Sequence, residues 1–209
     1  MNPWRHGALG RRSRRGLCGW RGGGHTAFVS RLLLVRHGET EWNTRGLYQG
    51  HADSPLTARG LAQIDEVAAK LASEAAERIV ASDLGRTLVS AHRLAGRLGL
   101  AVEVDPRLRE LHLGTAAGLD RAGIRALPGY EFKPDWRFPE GESFVDLEAR
   151  VFAALLELGA GDRPVIVVTH AGPIRAALRR VRGLSYEQAL QLRVDPETYL
   201  DLDPETLRP

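Results

Sequence analysis

Two runs of apolar and β-branched residues, each followed closely by a histidine, constrain the fold of this 209-residue chain most strongly. Residues 32–35 precede Arg36 and His37, and residues 164–169 precede His170. A strand that is apolar at successive positions is buried on both faces, which is typical of a parallel sheet covered by helices. The chain is therefore predicted to have an α/β fold, a three-layer α/β/α sandwich with a mostly parallel central sheet.

The periodicity of the other segments agrees with this prediction. Apolar residues at helical spacing predict helices over residues 57–73, with Thr57 as N-cap, and over 84–98, 143–158, 172–180 and 185–192. Short apolar runs predict strands over 79–81 and 101–104 and an edge strand over 198–202. Ligands of such sheets bind beyond the carboxyl ends of the strands, so the residues that follow each strand are the candidates for a site.

The first thirty residues differ in composition from the rest. Residues 1–30 are rich in Arg and Gly and contain six arginines and no acid, so they are predicted to be a disordered extension without a function. A targeting peptide and a nucleic-acid-binding arm stay open as alternatives. The tripeptide Arg-His-Gly occurs at residues 5–7 as well as at 36–38, but only the second copy follows a predicted strand.

Residues 31–209 are predicted to form one domain with a full-sized core. Because six of the 29 basic residues lie in the extension, this part carries 23 basic and 26 acidic side chains, and no nucleic-acid partner is expected for it. No apolar run is long enough to cross a membrane. The single cysteine, Cys18, allows no intramolecular disulfide, which suits a reducing compartment, and a cytoplasmic location is expected.

Charged side chains follow four of the predicted strands at widely separated positions. They are Arg36 with His37, Arg86, Glu110 and His170. Two arginines and two histidines that converge on one sheet edge would bind an anion, and the carboxylate would add an acid beside it. This combination of residues indicates phosphoryl transfer.

The motifs around these residues resemble the histidine phosphatase superfamily, also called the phosphoglycerate-mutase-like or RHG family. The resemblance covers roughly residues 31–203. Its motifs occur in family order as LVRHGETEWN at 34–43, PLTARG at 55–60, SDLGRT at 82–87, LRE at 108–110, PEGES at 139–143 and VTHAG at 168–172. After the acid, relatives often have Gly-x-Trp-Glu-Gly, whereas residues 114–118 here are Gly-Thr-Ala-Ala-Gly.

The resemblance implies a role for each of the five residues. His37 would attack phosphorus and form a phosphohistidine, with its other ring nitrogen held by a backbone carbonyl in the loop after Gly38. Arg36, Arg86 and His170 would bind the phosphate oxygens. Glu110 would protonate the leaving oxygen and then activate water, although Glu39, Glu140 and Glu142 are other carboxylates within the motifs.

Further phosphate or substrate contacts are implied for a group of neighbouring residues, namely Thr40, Asn43, Gln49, Gly50 and Ala171. The arginines would supply the positive charge that Mg²⁺ supplies in other phosphoryl-transfer enzymes. No metal and no cofactor are therefore expected.

The activity expected from the resemblance is hydrolysis of a phosphomonoester. Cofactor-dependent phosphoglycerate mutases of this superfamily carry a long insertion between the acid and the second histidine, and only 59 residues separate Glu110 from His170 here. Phosphoryl transfer of the mutase type stays open, as does a protein that binds phospho-ligands without turnover.

The substrate is expected to be a small-molecule phosphomonoester. Residues 46–60 and 192–195 resemble segments of α-ribazole phosphatases, which act in cobalamin nucleotide-loop assembly, so α-ribazole 5′-phosphate is one candidate. A broad-specificity sugar phosphatase is the other. The oligomeric state is left open, and a homodimer is one alternative.

Overall fold

The computed structural model describes residues 30–208, which contain five strands and seven helices. The strands are β1 (Leu32–Arg36), β2 (Arg78–Ala81), β3 (Val102–Val104), β4 (Val165–Thr169) and β5 (Tyr199–Leu202). The helices are α1 (Glu41–Thr44), α2 (Ala58–Leu71), α3 (Gly85–Leu98), α4 (Arg121–Arg125), α5 (Phe144–Leu158), α6 (Ala171–Arg182) and α7 (Tyr186–Gln191). Three short 3-10 turns complete them, at Pro106–Leu108, Gly114–Ala116 and Pro204–Leu207.

The strands form one sheet in the order β3-β2-β4-β1-β5. β1 pairs in parallel with β4, β4 with β2, and β2 with β3, whereas β5 lies antiparallel to β1 at the edge. The parallel strands all end on the same side of the sheet, and the loops after them meet there. The α/β prediction, with its mostly parallel sheet and its edge strand near the C-terminus, is confirmed.

The two faces of the sheet are covered by different helices, which makes the three layers. Leu33 and Val35 pack with residues of α2 and α3, while Leu32 and Leu34 pack with residues of α5 and α6. All four side chains are at most 1% exposed. Strand residues that alternate between two apolar layers explain why β1 is apolar at successive positions.

Side-chain caps begin two of the long helices where the sequence predicts them. The Thr57 hydroxyl accepts a hydrogen bond from the Gly60 N–H, and Ser143 forms a reciprocal capping box with Asp146. The boundaries of the predicted long helices and of the strands agree within about two residues, the usual uncertainty of element ends. Helices α1 and α4 were not predicted, because four or five residues are too few for a periodic pattern.

The start of the domain lies slightly before residue 31. Ser30, which the sequence prediction assigns to the extension, is buried, and its N–H donates to the Gly159 carbonyl at 2.9 Å. Residues 1–29, with the predicted disorder and the first Arg-His-Gly tripeptide, lie outside the described residues. Within residues 30–208, no helix combines the length and the apolar character needed to span a membrane.

Candidate active site

The adjacent strands β1 and β4 bring the two predicted catalytic histidines together. Arg36 ends β1 with His37 directly after it, and His170 directly follows β4. The His37 N–H donates to the Thr169 carbonyl at 3.0 Å, and the imidazole rings of the histidines lie edge to face with their centroids 5.2 Å apart. Parallel pairing in register therefore places residues 133 positions apart in the chain in contact.

The His37 imidazole is buried and held in one orientation. Its Nδ1 donates to the Gly38 carbonyl at 2.8 Å, which leaves Nε2 unprotonated and available for attack. Burial lowers the pKa of His37 well below its ordinary value, and the charges of Arg36 and Arg86 lower it further. The expected backbone carbonyl is thus that of Gly38, and a side chain at this position would lie 2.3 Å from the Gly60 carbonyl oxygen.

His170 is held from the opposite side. Its Nε2 lies 3.0 Å from the Ser82 hydroxyl, directly after β2, and its Nδ1 is buried without a hydrogen-bond partner among residues 30–208. Burial lowers the pKa of His170 well below its ordinary value, with further contributions from Arg86 and His37. Both imidazoles are therefore neutral near pH 7 in the unliganded protein.

Two guanidinium groups lie close enough to His37 to lower its pKa. Arg36 donates from one Nη to the Val194 carbonyl at 2.9 Å. Arg86, in the first turn of α3, donates to the Gly50 carbonyl at 2.7 Å and pairs with Asp53 at 2.9 Å. The Nε atoms of both arginines are buried without a partner in the described part of the chain. Unpaired buried donors carry a free-energy cost that an oxyanion ligand would remove.

Glu110 lies in the loop after β3 and joins the same cluster. Its carboxylate accepts the N–H of Leu111 at 2.9 Å and the N–H of Gly172, in the first turn of α6, at 3.1 and 3.2 Å. The carboxylate also raises the pKa values of Arg36 and Arg86, which burial lowers. The structure thus brings together all five residues that the sequence places after strands.

The other acidic candidates have different partners. Glu39 accepts a hydrogen bond from the Thr57 hydroxyl at 2.9 Å, and Glu142 forms an ion pair with Arg150. Glu140 lies in a turn with a φ of 57°. Glu110 is therefore the carboxylate that the geometry favours as the general acid.

Three of the predicted phosphate contacts form a local hydrogen-bonded unit. The Thr40 hydroxyl caps α1 by accepting the N–H of Asn43, and the Asn43 Oδ1 accepts the Thr40 N–H, both at 3.2 Å. Gln49 donates from Nε2 to the Thr40 hydroxyl at 2.8 Å, and its Oε1 is buried without a partner among residues 30–208. These hydrogen bonds satisfy the polar atoms of Thr40, which is fully buried, so Thr40 has a structural role in this loop.

Gly50 and Ala171 have backbone positions near the cluster. Gly50 has a φ of 54°, which favours glycine, and its carbonyl accepts from Arg86. Ala171 is the first residue of α6, where a helix leaves its N–H groups without intrahelical partners. An anion at this helix end would meet those N–H groups.

Residues 114–118, where the sequence departs from the family pattern, pack closely against other backbone and against one aromatic ring. Gly114–Ala116 is a 3-10 turn, and a side chain on Gly114 would lie 1.9 Å from the Pro139 carbonyl oxygen. The Trp42 indole lies over Gly118, about 3.4 Å from where a side chain would begin. Trp42 therefore packs against this segment.

Several residues of the site were missed by the sequence analysis. Arg150 donates to the carbonyls of Arg107, Arg109 and Glu110 at 2.7–2.8 Å, and the His51 Nε2 lies 2.9 Å from the Glu110 carbonyl. Burial lowers the pKa of Arg175, and the charge of the Glu110 carboxylate opposes this effect. Arg175 follows His170 by five residues on a predicted helix, which was the available signal for it.

A cavity of about 220 Å³ adjoins this cluster at Arg36. Asn43 lines the cavity as well, and its charged lining includes both Arg59, Arg175 and Arg193 and the carboxylates Glu39, Asp195 and Glu197. Within residues 30–208, no three His, Cys, Asp or Glu side chains are grouped so that they could hold a metal ion.

Comparisons with known proteins agree with this geometry. The family model described as "Histidine phosphatase superfamily (branch 1)" matches residues 32–206. A Yersinia enterocolitica protein named "Probable phosphoglycerate mutase GpmB" is 40% identical over 177 residues, which cover 78% of this chain and 80% of the relative.

Two solved structures resemble this chain. A mycobacterial glucosyl-3-phosphoglycerate phosphatase complexed with VO₃ is 37% identical, with a TM-score of 0.68, and the match covers 78% of this chain and 87% of that protein. A protein from Escherichia coli K-12, provisionally described as an alpha-ribazole-5′-P phosphatase, is 28% identical, with a TM-score of 0.71 and coverage of 82% and 88%.

Proposed function

The chain belongs to the histidine phosphatase superfamily, branch 1, and we propose that it is a metal-independent phosphomonoester hydrolase that acts through a phosphohistidine at His37. The observation that carries the proposal is the buried, neutral imidazole of His37 between guanidinium groups with unpaired Nε atoms. A neutral imidazole nitrogen is a nucleophile, and fork-shaped cations suit phosphate oxygens.

The reaction takes place in two displacements. In the first, the His37 Nε2 forms a bond to phosphorus, the bond from phosphorus to the ester oxygen breaks, and Glu110 gives its proton to the leaving oxygen. In the second, Glu110 takes a proton from water, the resulting hydroxide attacks phosphorus, and the bond from nitrogen to phosphorus breaks. Inorganic phosphate and an alcohol are the products, and His37 and Glu110 return to their starting states.

Arg36, Arg86 and His170 stabilise the charge on the three non-bridging oxygens. Electrostatic stabilisation of this kind dominates phosphoryl transfer, and donors that are already fixed in place need no reorganisation. The carbonyl and Ser82 contacts of these side chains hold them before the substrate binds. The two fixed guanidinium groups among them support a reaction that does not need a metal ion.

Mutase-type transfer is the second candidate, and the name of the 40%-identical relative favours it. A mutase must exclude water so that the phosphoryl group returns to substrate. Of the 59 residues between Glu110 and His170, α5 and β4 belong to the core, so residues 111–143 remain to cover the site. The shortness of this segment supports hydrolysis.

The test is turnover of p-nitrophenyl phosphate in excess EDTA, with rapid quenching into alkali to trap ³²P on the protein. We expect activity that EDTA does not reduce, a labelled phosphoenzyme, inhibition by vanadate, and a loss of at least about 10³-fold in His37→Ala. Full activity of His37→Ala without label would contradict the proposal. Interconversion of phosphoglycerates faster than phosphate release would instead favour the mutase.

The substrate proposal stays at the level of a small phosphomonoester. The 28%-identical neighbour supports α-ribazole 5′-phosphate and a role in cobalamin biosynthesis, and the 37%-identical neighbour supports a phosphoglycerate-containing ester. Parallel assays of α-ribazole 5′-phosphate, phosphoglycerates and sugar phosphates distinguish these substrates.

We also propose a cytoplasmic location, where small phosphorylated metabolites occur, and no nucleic-acid partner for residues 31–209. Fractionation of the source cells tests the location. Sedimentation of the purified protein distinguishes a monomer from a homodimer.

A further inference from the structure

His51 lies between the two backbone carbonyls that hold Arg86. The Arg86 guanidinium donates to the Gly50 carbonyl and to the Ala52 carbonyl, each at 2.7 Å. The backbone on both sides of His51 is therefore fixed to the guanidinium that binds phosphate in the proposed reaction. The imidazole itself is partly buried, and no step of the proposed reaction uses it.

The His51 imidazole contacts the residue proposed as the general acid. Its Nε2 lies 2.9 Å from the Glu110 carbonyl oxygen. A carbonyl oxygen can only accept, so the Nε2 of His51 carries the proton and donates the hydrogen bond. The same oxygen accepts from an Nη of Arg150 at 2.8 Å, and its two lone pairs allow both bonds. His51 therefore links the backbone of Glu110 to the loop that holds Arg86.

A second imidazole, from His112, holds the His51 ring in place. The two rings have their centroids 4.3 Å apart and their planes tilted by 37°. The His112 N–H donates to the Glu142 Oε1, and its carbonyl accepts the Glu142 N–H, both at 2.9 Å. Burial lowers the pKa of His51, the hydrogen bond to the Glu110 carbonyl opposes this effect, and the nearby His112 adds to it. The His51 ring is therefore neutral near pH 7 and has a fixed neighbour on one face.

The position of the Glu110 carboxylate depends on the backbone that His51 holds. The carboxylate accepts the Leu111 N–H at 2.9 Å and the Gly172 N–H at 3.1 and 3.2 Å. These bonds keep their geometry only while the backbone of residue 110 stays in place, because the side chain and the carbonyl belong to one residue. A general acid must lie within hydrogen-bond reach of the leaving oxygen, and a displacement of about 1 Å can lower the rate by about 10²-fold.

We propose that His51 is a positioning residue that couples the phosphate-binding Arg86 to the general acid Glu110. Its backbone moves with the guanidinium, and its imidazole fixes the carbonyl of the acid. This inference rests on the proposed function and adds to it a residue that acts through Glu110 rather than on the substrate. Loss of the imidazole should therefore slow the reaction where the leaving oxygen needs a proton.

The test compares two leaving groups. An alkoxide needs a proton in order to leave, whereas p-nitrophenolate leaves without one. The alkyl ester is 3-phosphoglycerate or glucose 6-phosphate, whichever the native protein hydrolyses faster, and kcat/KM reports the steps up to the loss of the alcohol. His51→Leu should lower kcat/KM for the alkyl ester by about tenfold, as for one lost hydrogen bond, and change it by less than about twofold for p-nitrophenyl phosphate.

Two amide variants of different length test the hydrogen bond itself. A glutamine places its N–H near the position of the histidine Nε2, so His51→Gln should retain most of the native kcat/KM for the alkyl ester. An asparagine is too short to reach the carbonyl, so His51→Asn should behave like His51→Leu. His92→Leu, which removes an exposed imidazole from α3, is the matched control and should leave both rates unchanged. If His51→Leu does not fold, the two amide variants decide the question.

Equal slowing of both esters in His51→Leu, or no slowing of either, would overturn the inference, as would equal rates for the two amide variants. Glu110→Gln separates the inference from the proposed function, because loss of the acid should slow the alkyl ester at least about 10²-fold more than p-nitrophenyl phosphate. If Glu110→Gln shows this selectivity and His51→Leu does not, the proposed function stands and the positioning role fails. If neither variant shows it, Glu110 is not the acid and both proposals fail.

Discussion

The backbone N–H of Gly172 donates to both carboxylate oxygens of Glu110, at 3.1 and 3.2 Å. Gly172 is the second residue of α6, which begins directly after His170. One helix end therefore positions the proposed general acid and the second histidine together. A side chain on residue 172 would lie 2.1 Å from the Glu110 Oε1, so this contact requires glycine.

Gly172→Ala should displace the Glu110 carboxylate and lower kcat by about 10²-fold, because general acid–base catalysis of this kind contributes at least that factor. The measurement is steady-state kinetics with a phosphomonoester, together with the unfolding temperature. Gly96→Ala is the control, since nothing lies within 4 Å of a side chain there. A Gly172→Ala protein with native kcat would show that Glu110 is not the acid.

Arg150→Met should lower kcat by about 10- to 100-fold with little change in KM, because the Arg150 guanidinium holds three carbonyls of the loop that carries Glu110. Arg150→Lys should not restore kcat, since an ammonium group lacks the planar fork. Arg163→Met, which removes a mostly exposed arginine elsewhere, is the matched control. A 10- to 100-fold rise in KM with an unchanged kcat would contradict a positioning role.

Ser82→Ala should lower kcat/KM by up to about tenfold, the effect of one neutral hydrogen bond. The Ser82 hydroxyl is the partner of the His170 Nε2, and its loss frees the imidazole to rotate away from the phosphate. Ser73→Ala, in the exposed turn that follows α2, is the control. The idea fails if the affinity for inorganic phosphate and kcat/KM are both unchanged in Ser82→Ala.

Stability should fall as the pH falls below about 6.5, the ordinary pKa of histidine. Burial lowers the pKa values of His37 and His170, so between the folded and unfolded pKa values the unfolded chain binds more protons. The stabilisation is complete above the unfolded pKa and is lost towards acid pH, at up to about 1.4 kcal/mol per pH unit for each histidine.

Urea unfolding from about pH 7.5 to 5.5, where few carboxylates titrate, measures this slope. The double variant His37→Gln/His170→Gln should have a shallower slope than the native protein. His92→Gln, a substitution on an exposed helix position, should leave the slope unchanged. Equal slopes for the native and double-variant proteins would show that these imidazoles do not cause the pH dependence of stability.

Much of the fold was predictable from local pattern. β1 and β4 are apolar at successive positions because helices cover both faces of the sheet. This pattern is visible in the sequence alone. Thr57 and Ser143 begin their helices through side chains that bond to backbone three residues later, which is also a local signal. The short helix α1 has no such periodicity and was missed.

Local patterns also predicted part of the candidate site. His37 and His170 follow strands, so their meeting at one sheet edge follows from parallel pairing. The contact of Arg175 with the Leu192 carbonyl and the three contacts of Arg150 with the carbonyls around Glu110 depend on other segments of the chain. No local pattern encodes such contacts.

The chain's own residues were enough to establish the α/β class, the order of its strands and helices along the chain, and the five residues that follow strand ends. These depend on burial and helix capping, which act over a few neighbouring residues. Packing established the rest, namely the sheet order, the contact of the His170 imidazole with Ser82, the glycine beneath Glu110 and the cavity beside Arg36. Hydrogen bonds and burial at these places join residues tens to more than a hundred positions apart, so they exist only once the layers have come together.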